Sequence, residues 1–194
     1  MLIGLDLDNT IVCYDKVFAR LAVELGLPET VVGAGKRGIR DYLRQQDRED
    51  EWTVMQGQAY GSRMSGAQPF PGVLDFVASA TEGGGELCVV SHRTKVPFLG
   101  DPVDLHASAL EWLAAREVDR RARVFLEETA EAKAARIQSL GCDVFVDDLP
   151  EFLRRADFPA GTRKVLFDPD ASMQGDGLAV LRSWAQAANL LLNR

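Results

Sequence analysis

Two patterns of hydrophobic positions run along the chain. Unbroken apolar runs of strand length occur at Leu2–Leu7, Leu87–Ser91, Val124–Glu127, Val144–Val146 and Lys164–Phe167. Continuous rather than alternating apolarity predicts strands buried on both faces. Between the later runs, apolar residues recur every three to four positions instead. Val73, Phe76, Val77 and Ala80 form one such stripe, and Leu105, Ala109, Trp112 and Leu113 form another. A third helix is predicted from Thr129 to Leu140, with Thr129 as its N-cap and Gly141 as its stop, and a fourth over Leu178–Leu192. Alternation of this kind predicts an α/β fold: a Rossmann-like, three-layer parallel sheet with helices on both faces.

The alternation lapses from Tyr14 to Gln68, where helical stripes occur without a convincing strand. Phe18, Leu21, Ala22 and Leu25 share a face that stops at Gly26-Leu27-Pro28. Ile39, Tyr42 and Leu43 predict a second helix, and Trp52, Met55, Gln56 and Ala59 a third, with Trp52 and Met55 as core of this small unit. The stretch "QPFPG" then returns the chain to the sheet. The predicted division is therefore a sheet domain of residues 1–13 and 69–194, carrying an all-helical insertion at 14–68.

Composition narrows the function. A net charge of -7 disfavours a general nucleic-acid or membrane-surface binder. No apolar segment approaches the roughly 18 residues of a membrane span, and no basic stretch precedes an apolar run at the N-terminus, so a cytoplasmic protein is expected. Cys13, Cys88 and Cys142 are scattered among apolar neighbours and read as small buried hydrophobes. With no CxxC pair and only His92 and His106, a structural zinc site is not expected.

The chemistry concentrates at strand ends. In open parallel sheets ligands sit beyond the carboxyl ends of the strands. The first strand delivers Asp6 and Asp8 there, the second Ser91, and the fourth Asp147 and Asp148. Each close pair of carboxylates repels by roughly 4 kcal/mol at an effective dielectric near 20, so a cation is required. All-oxygen ligands without clustered His or Cys favour a hard ion, with Mg²⁺ the first candidate. Lys133 shares a helical face with Ile137 and Leu140, the face that should pack on the sheet. Its stem could carry the charge outward to water, but four acids at the adjacent rim favour an ammonium reaching inward.

These residues together resemble the four motifs of the haloacid dehalogenase superfamily. "DLDNT" at Asp6–Thr10, Ser91 after an apolar strand, Lys133, and "DD" at Asp147–Asp148 carry the likeness, which spans nearly the whole chain. "PFPG" at Pro69–Gly72 is also similar to many members. The resemblance implies that the first strand is central and that residues 14–68 form a cap. It implies Asp6 as a nucleophile forming an aspartyl-phosphate, and Asp8 as the acid and then the base. Mg²⁺ would be held by Asp6, the Asp8 main-chain carbonyl and the Asp147–Asp148 pair, with Asp148 the more direct ligand; Ser91 and Lys133 would bind phosphoryl oxygens. Dehalogenases of the superfamily lack an acid at the position of Asp8, so its presence favours phosphoryl transfer. "DDLPE" departs from the commoner Gly-Asp form of the fourth motif.

The expected activity is a Mg²⁺-dependent phosphatase acting on a small phosphomonoester, a nucleoside monophosphate or a phosphosugar. Transfer to an acceptor other than water, and a binding or regulatory protein without turnover, are the alternatives. Thr10, His92, Arg93, Gln56 and Tyr60 are the candidate substrate-binding residues. The segment from His92 to His106 could contact substrate or dock the cap. "GAGKRG" at Gly33–Gly38 matches G-x-G-x-x-G, but no strand precedes it, and it reads as a loop connecting helices. Asp168 reads as an exposed acid at a strand end. Ser91 and His92 are adjacent on a strand and face opposite ways, so they cannot form a nucleophile–base pair.

Overall fold

The computed structural model describes residues 1–171 and 177–192. The strands of the six-stranded sheet are β1 (Leu2–Leu5), β2 (Glu86–His92), β3 (Ala122–Glu127), β4 (Val144–Asp147), β5 (Arg163–Phe167) and β6 (Ala179–Leu181). Across the sheet their order is β3-β2-β1-β4-β5-β6, and every pairing is parallel. The order reverses at β1, which places the first strand centrally between β2 and β4. Parallel neighbours need crossovers, and the helices that supply them bury apolar stripes on the sheet.

The helices are α1 (Asp15–Glu24), α2 (Glu29–Val32), α3 (Gly35–Gln45), α4 (Glu49–Tyr60), α5 (Val73–Glu82), α6 (Leu105–Ala114), α7 (Ala130–Leu140) and α8 (Pro150–Leu153). By contacts the chain forms two compact units. The first comprises Met1–Val12, Pro69–Arg93 and Arg116–Arg194; the second comprises Cys13–Gln68 and Thr94–Ala115. The division read from the sequence counts 94–115 with the sheet, whereas contacts group it with the helices.

In the sheet unit, α5 and α7 pack on β2, α7 also on β3, and α8 on β4 and β5. Ile137, Phe145, Phe152, Leu153, Phe158 and Leu166 form much of one core cluster. Cys88 and Cys142 belong to it as buried free thiols, with their sulfurs 3.6 Å apart. The predicted C-terminal helix over 178–192 is corrected. Its start is β6, paired with β5, followed by a 3-10 turn at Trp184–Gln186 and a π-helical turn at Ala188–Leu192. The edge of β5 takes Ala179, Val180 and Leu181 as a strand, and Trp184 wedges between Phe76 and Phe167, with ring centroids 5.3 and 5.4 Å away. Tertiary pairing thus overrides a helical apolar spacing.

In the helical unit, Phe18 stacks on Trp52 at 5.1 Å, and Tyr14 meets Tyr60 edge-on at 4.8 Å. Trp112 of α6 donates its Nε1–H to the carbonyl of Ala67 at 3.0 Å. Gly57 lets the segment around Pro97 lie directly against α4, since a Cβ there would stand 2.8 Å from Pro97 Cβ. The loop expected at Gly33–Gly38 is also corrected, because α3 begins at Gly35 and contains Lys36, Arg37 and Gly38. Ile39 and Leu43 are fully buried, and that packing carries the helix back through residues of poor propensity. None of the described helices is long and apolar enough to cross a membrane.

Candidate active site

Register brings the acids together. Leu5 is level with Val146, so the next residues, Asp6 and Asp147, emerge side by side, and the Asp6 amide donates to the Val146 carbonyl at 2.9 Å. Carboxylate oxygens of Asp6, Asp147 and Asp148 all lie within 4.8 Å of one another. Into this group comes Lys133, on the sheet-facing side of α7, a helix that Thr129 caps by accepting from the Ala132 amide at 3.1 Å. The Lys133 Nζ donates to Asp6 Oδ1 and to Asp147 Oδ2, each at 2.6 Å. It also stands 4.3 Å from the Phe152 ring centroid. The other Asp147 oxygen accepts from the Leu149 amide at 2.9 Å.

Burial sets the electrostatics. Asp6 and Lys133 are 4% and 2% exposed, and Asp147 is fully buried. Removal from water, reinforced by the Asp147 and Asp8 charges, pushes the Asp6 carboxyl up to about 7 despite the opposing ammonium. Burial would lower the pKa of Lys133, but the Asp147 and Asp6 carboxylates outweigh it and hold the ammonium above the usual lysine range. The neighbouring carboxylates thus reinforce the first effect, which burial dominates, and produce the second.

Asp8 lies two residues on, in a tight turn where Ile11 and Val12 amides return to the Leu7 carbonyl at 3.0 and 2.9 Å. Asn9 takes φ +58°, a left-handed conformation that asparagine tolerates better than most residues. Trp184 Nε1 donates to the Thr10 carbonyl at 3.1 Å and ties this turn to the core. Arg93 forks onto Asp8, with Nε donating to Oδ2 at 3.2 Å and Nη2 to Oδ1. Ser91 and Arg93 are buried and His92 between them is exposed, as strand alternation requires.

Two buried hydroxyls have no partner among the described residues. Thr10 Oγ1 and Ser91 Oγ are buried without a hydrogen bond, a situation that costs about 1–3 kcal/mol per group unless a ligand supplies the bond. Of the other candidates, Gln56 and Tyr60 lie on α4 in the helical unit. The Tyr60 hydroxyl accepts from Lys36 Nζ at 2.8 Å. Asp168 is not an exposed acid; it is 2% exposed and paired with Arg182, which also bonds its carbonyl at 2.7 Å. That pairing was invisible locally because the partners, fourteen residues apart, are brought together where β5 and β6 pair.

The fold is that of a known structural class. No family model matches the sequence, and no curated protein matches it either. Solved structures match over nearly the full length. A predicted phosphatase from Clostridium acetobutylicum superposes with a TM-score of 0.65 at 11% identity, covering 98% of this chain and 97% of its own. A HAD family hydrolase from Deinococcus radiodurans R1, solved with bound phosphate and sodium, gives 0.62 at 17% identity, covering 97% and 94%. A predicted phosphoglycolate phosphatase from Haemophilus somnus 129PT gives 0.59 at 15%, covering 97% and 96%. At these identities the likeness establishes the fold, which is the one adopted by HAD-superfamily hydrolases.

Proposed function

We propose that the chain is a Mg²⁺-dependent phosphatase hydrolysing a small-molecule phosphomonoester through an aspartyl-phosphate at Asp6. The observation that carries this reading is the buried ammonium of Lys133 bridging Asp6 and Asp147 at the ends of adjacent strands, with Asp148 beside them. The oxygen-only donor set suits a hard divalent cation. Asp6, the Asp8 main-chain carbonyl and Asp148 would hold it, while Asp147, engaged by Lys133 and the Leu149 amide, would orient the group. When bound, Mg²⁺ offsets charge on the phosphoryl oxygens and the clustered acids.

The residues divide the chemistry. An Asp6 oxygen attacks phosphorus as the bond to the leaving oxygen breaks, and Asp8 gives that oxygen a proton. Asp8 then takes a proton from water as the water oxygen attacks phosphorus and the Asp6–phosphorus bond breaks. Each turnover therefore returns both aspartates to their starting state. Lys133 and the hydroxyls of Ser91 and Thr10 supply donors to phosphoryl oxygens, consistent with the two hydroxyls having no partner among the described residues. A phosphoryl group satisfies donors of this kind whatever it is attached to. Recognition of the leaving group is assigned to the helical unit acting as a cap, with Gln56 and Tyr60 as candidates, and to His92 at the start of the following loop. The description of one protein sharing the fold as a predicted phosphoglycolate phosphatase supports the same substrate type.

Phosphate release from a panel of nucleoside monophosphates and sugar phosphates, with and without Mg²⁺, tests the proposal. Metal-dependent release from at least one class is expected. No release from any member would reject it.

A further inference from the structure

Arg93 does not stand in the structure as a residue waiting for substrate. Its side chain is 2% exposed, and its backbone amide is anchored to the Glu127 carbonyl of β3 at 2.8 Å. Its position two residues beyond Ser91 turns it to the same side of the strand. There its Nε and Nη2 engage the two different oxygens of Asp8. An ammonium can sit anywhere around a carboxylate, whereas a guanidinium fork fixes the plane of the group it holds. The Asp8 side chain is 18% exposed and extends from a tight turn, and the fork restrains its rotation.

We infer that Arg93 is a positioning residue, whose fork sets the orientation of the Asp8 carboxylate for both proton transfers. The inference rests on the phosphatase reading above. It changes the role expected for Arg93, from contact with substrate to control of the group that serves substrate. A carboxylate offers about four lone-pair directions and the fork engages two of them, so the fork does not by itself block proton exchange with a leaving oxygen or a water. Because the leaving oxygen and the water occupy one side of phosphorus in successive steps, one fixed orientation serves both.

The test compares wild type, Arg93→Ala, Arg93→Gln and Arg93→Lys, each checked for folding by circular dichroism and thermal melting. Rates are measured on a series of phosphomonoesters running from alkyl to nitrophenyl leaving groups, together with inhibition by vanadate. All three variants are expected to lose about 10²-fold in kcat on alkyl esters, the range of a proton-transfer contribution. KM and vanadate inhibition should stay close to wild type. Nitrophenolate departs without a proton, so the first turnover on that ester should be nearly as fast as in wild type, followed by a slow steady state. Arg93→Lys keeps the charge but lacks the fork, and should not restore the rate.

Equal loss of affinity for every ester and for vanadate would make Arg93 a phosphoryl ligand and overturn the inference. Wild-type turnover in Arg93→Lys, or an equal loss in the first turnover across all leaving groups, would also overturn it. Failure of wild type to hydrolyse any ester would reject the phosphatase reading and this inference with it. Active wild type with an equal first-turnover defect across all leaving groups rejects the inference alone.

Discussion

Replacing Lys133 with methionine removes the ammonium while keeping a chain of similar length, and the structure sets the size and pH dependence of the result. Taking away one side of a buried ion pair costs about 3–5 kcal/mol, because the remaining charge is left without compensation. Here two carboxylates share the lost group. Asp147 retains the Leu149 amide, but Asp6 can recover only by binding a proton. Its carboxyl already stands at about 7 beside Lys133, so removal of the ammonium drives it higher. A carboxyl raised on folding contributes stability at low pH that disappears as pH climbs through its folded pKa. Wild type and variant share that decline up to about pH 7, and above it only the variant continues to fall. Each further tenfold weakening of Asp6 as an acid widens the gap by about 1.4 kcal/mol. Urea unfolding in excess chelator, at pH 6 and pH 9, reads this directly. At pH 9 the variant should be less stable by about 3–5 kcal/mol, a melting-temperature drop of roughly 6–20 °C, with a smaller loss at pH 6. An equal loss at both pH values would refute the view that Asp6 and Lys133 are electrostatically joined.

Other perturbations probe separate parts of the molecule. Gly4→Ala on β1 would place a Cβ 2.4 Å from Phe145 Cδ2 and 3.1 Å from Cys142 Sγ, so a loss of about 1–3 kcal/mol in urea unfolding is expected; unchanged stability would mean the Phe145 packing yields easily. Excess EDTA should abolish phosphate release and added Mg²⁺ should restore it, whereas full turnover in chelator would remove the metal from the mechanism. Gln56→Ala should reduce kcat/KM on the preferred ester while a minimal aryl phosphate is hydrolysed nearly as before. An equal effect on both esters would move leaving-group recognition away from α4.

The strands of the sheet were readable because burial on both faces leaves an uninterrupted apolar signature, and β1, β2, β4 and β5 lie close to their predicted places. The last strand was not readable. Ala179–Leu181 is three residues long and owes its extended form to β5, a partner some fourteen residues away in sequence. The start of α3 was missed for a related reason, since Gly35 and Gly38 argue locally against a helix that Ile39 and Leu43 hold in place by burial. In the candidate site, the acids and Lys133 were legible from their positions at strand ends and on a helix face. The grip of Arg93 on Asp8 spans 85 residues of sequence. Its one local clue was the spacing of two from Ser91, which predicts a shared side of the strand but not the partner found there.

Every step of the proposed chemistry depends on Asp6 being the nucleophile. Acid quenching during turnover of a hydrolysed phosphomonoester, followed by peptide mapping of the protein, puts that role to the test. A hydroxylamine-labile phosphoryl group is expected on the peptide containing Asp6, and neither the modification nor turnover in folded Asp6→Asn. Phosphate release at the wild-type rate from Asp6→Asn, or a phosphoryl group trapped on any other residue, would contradict it.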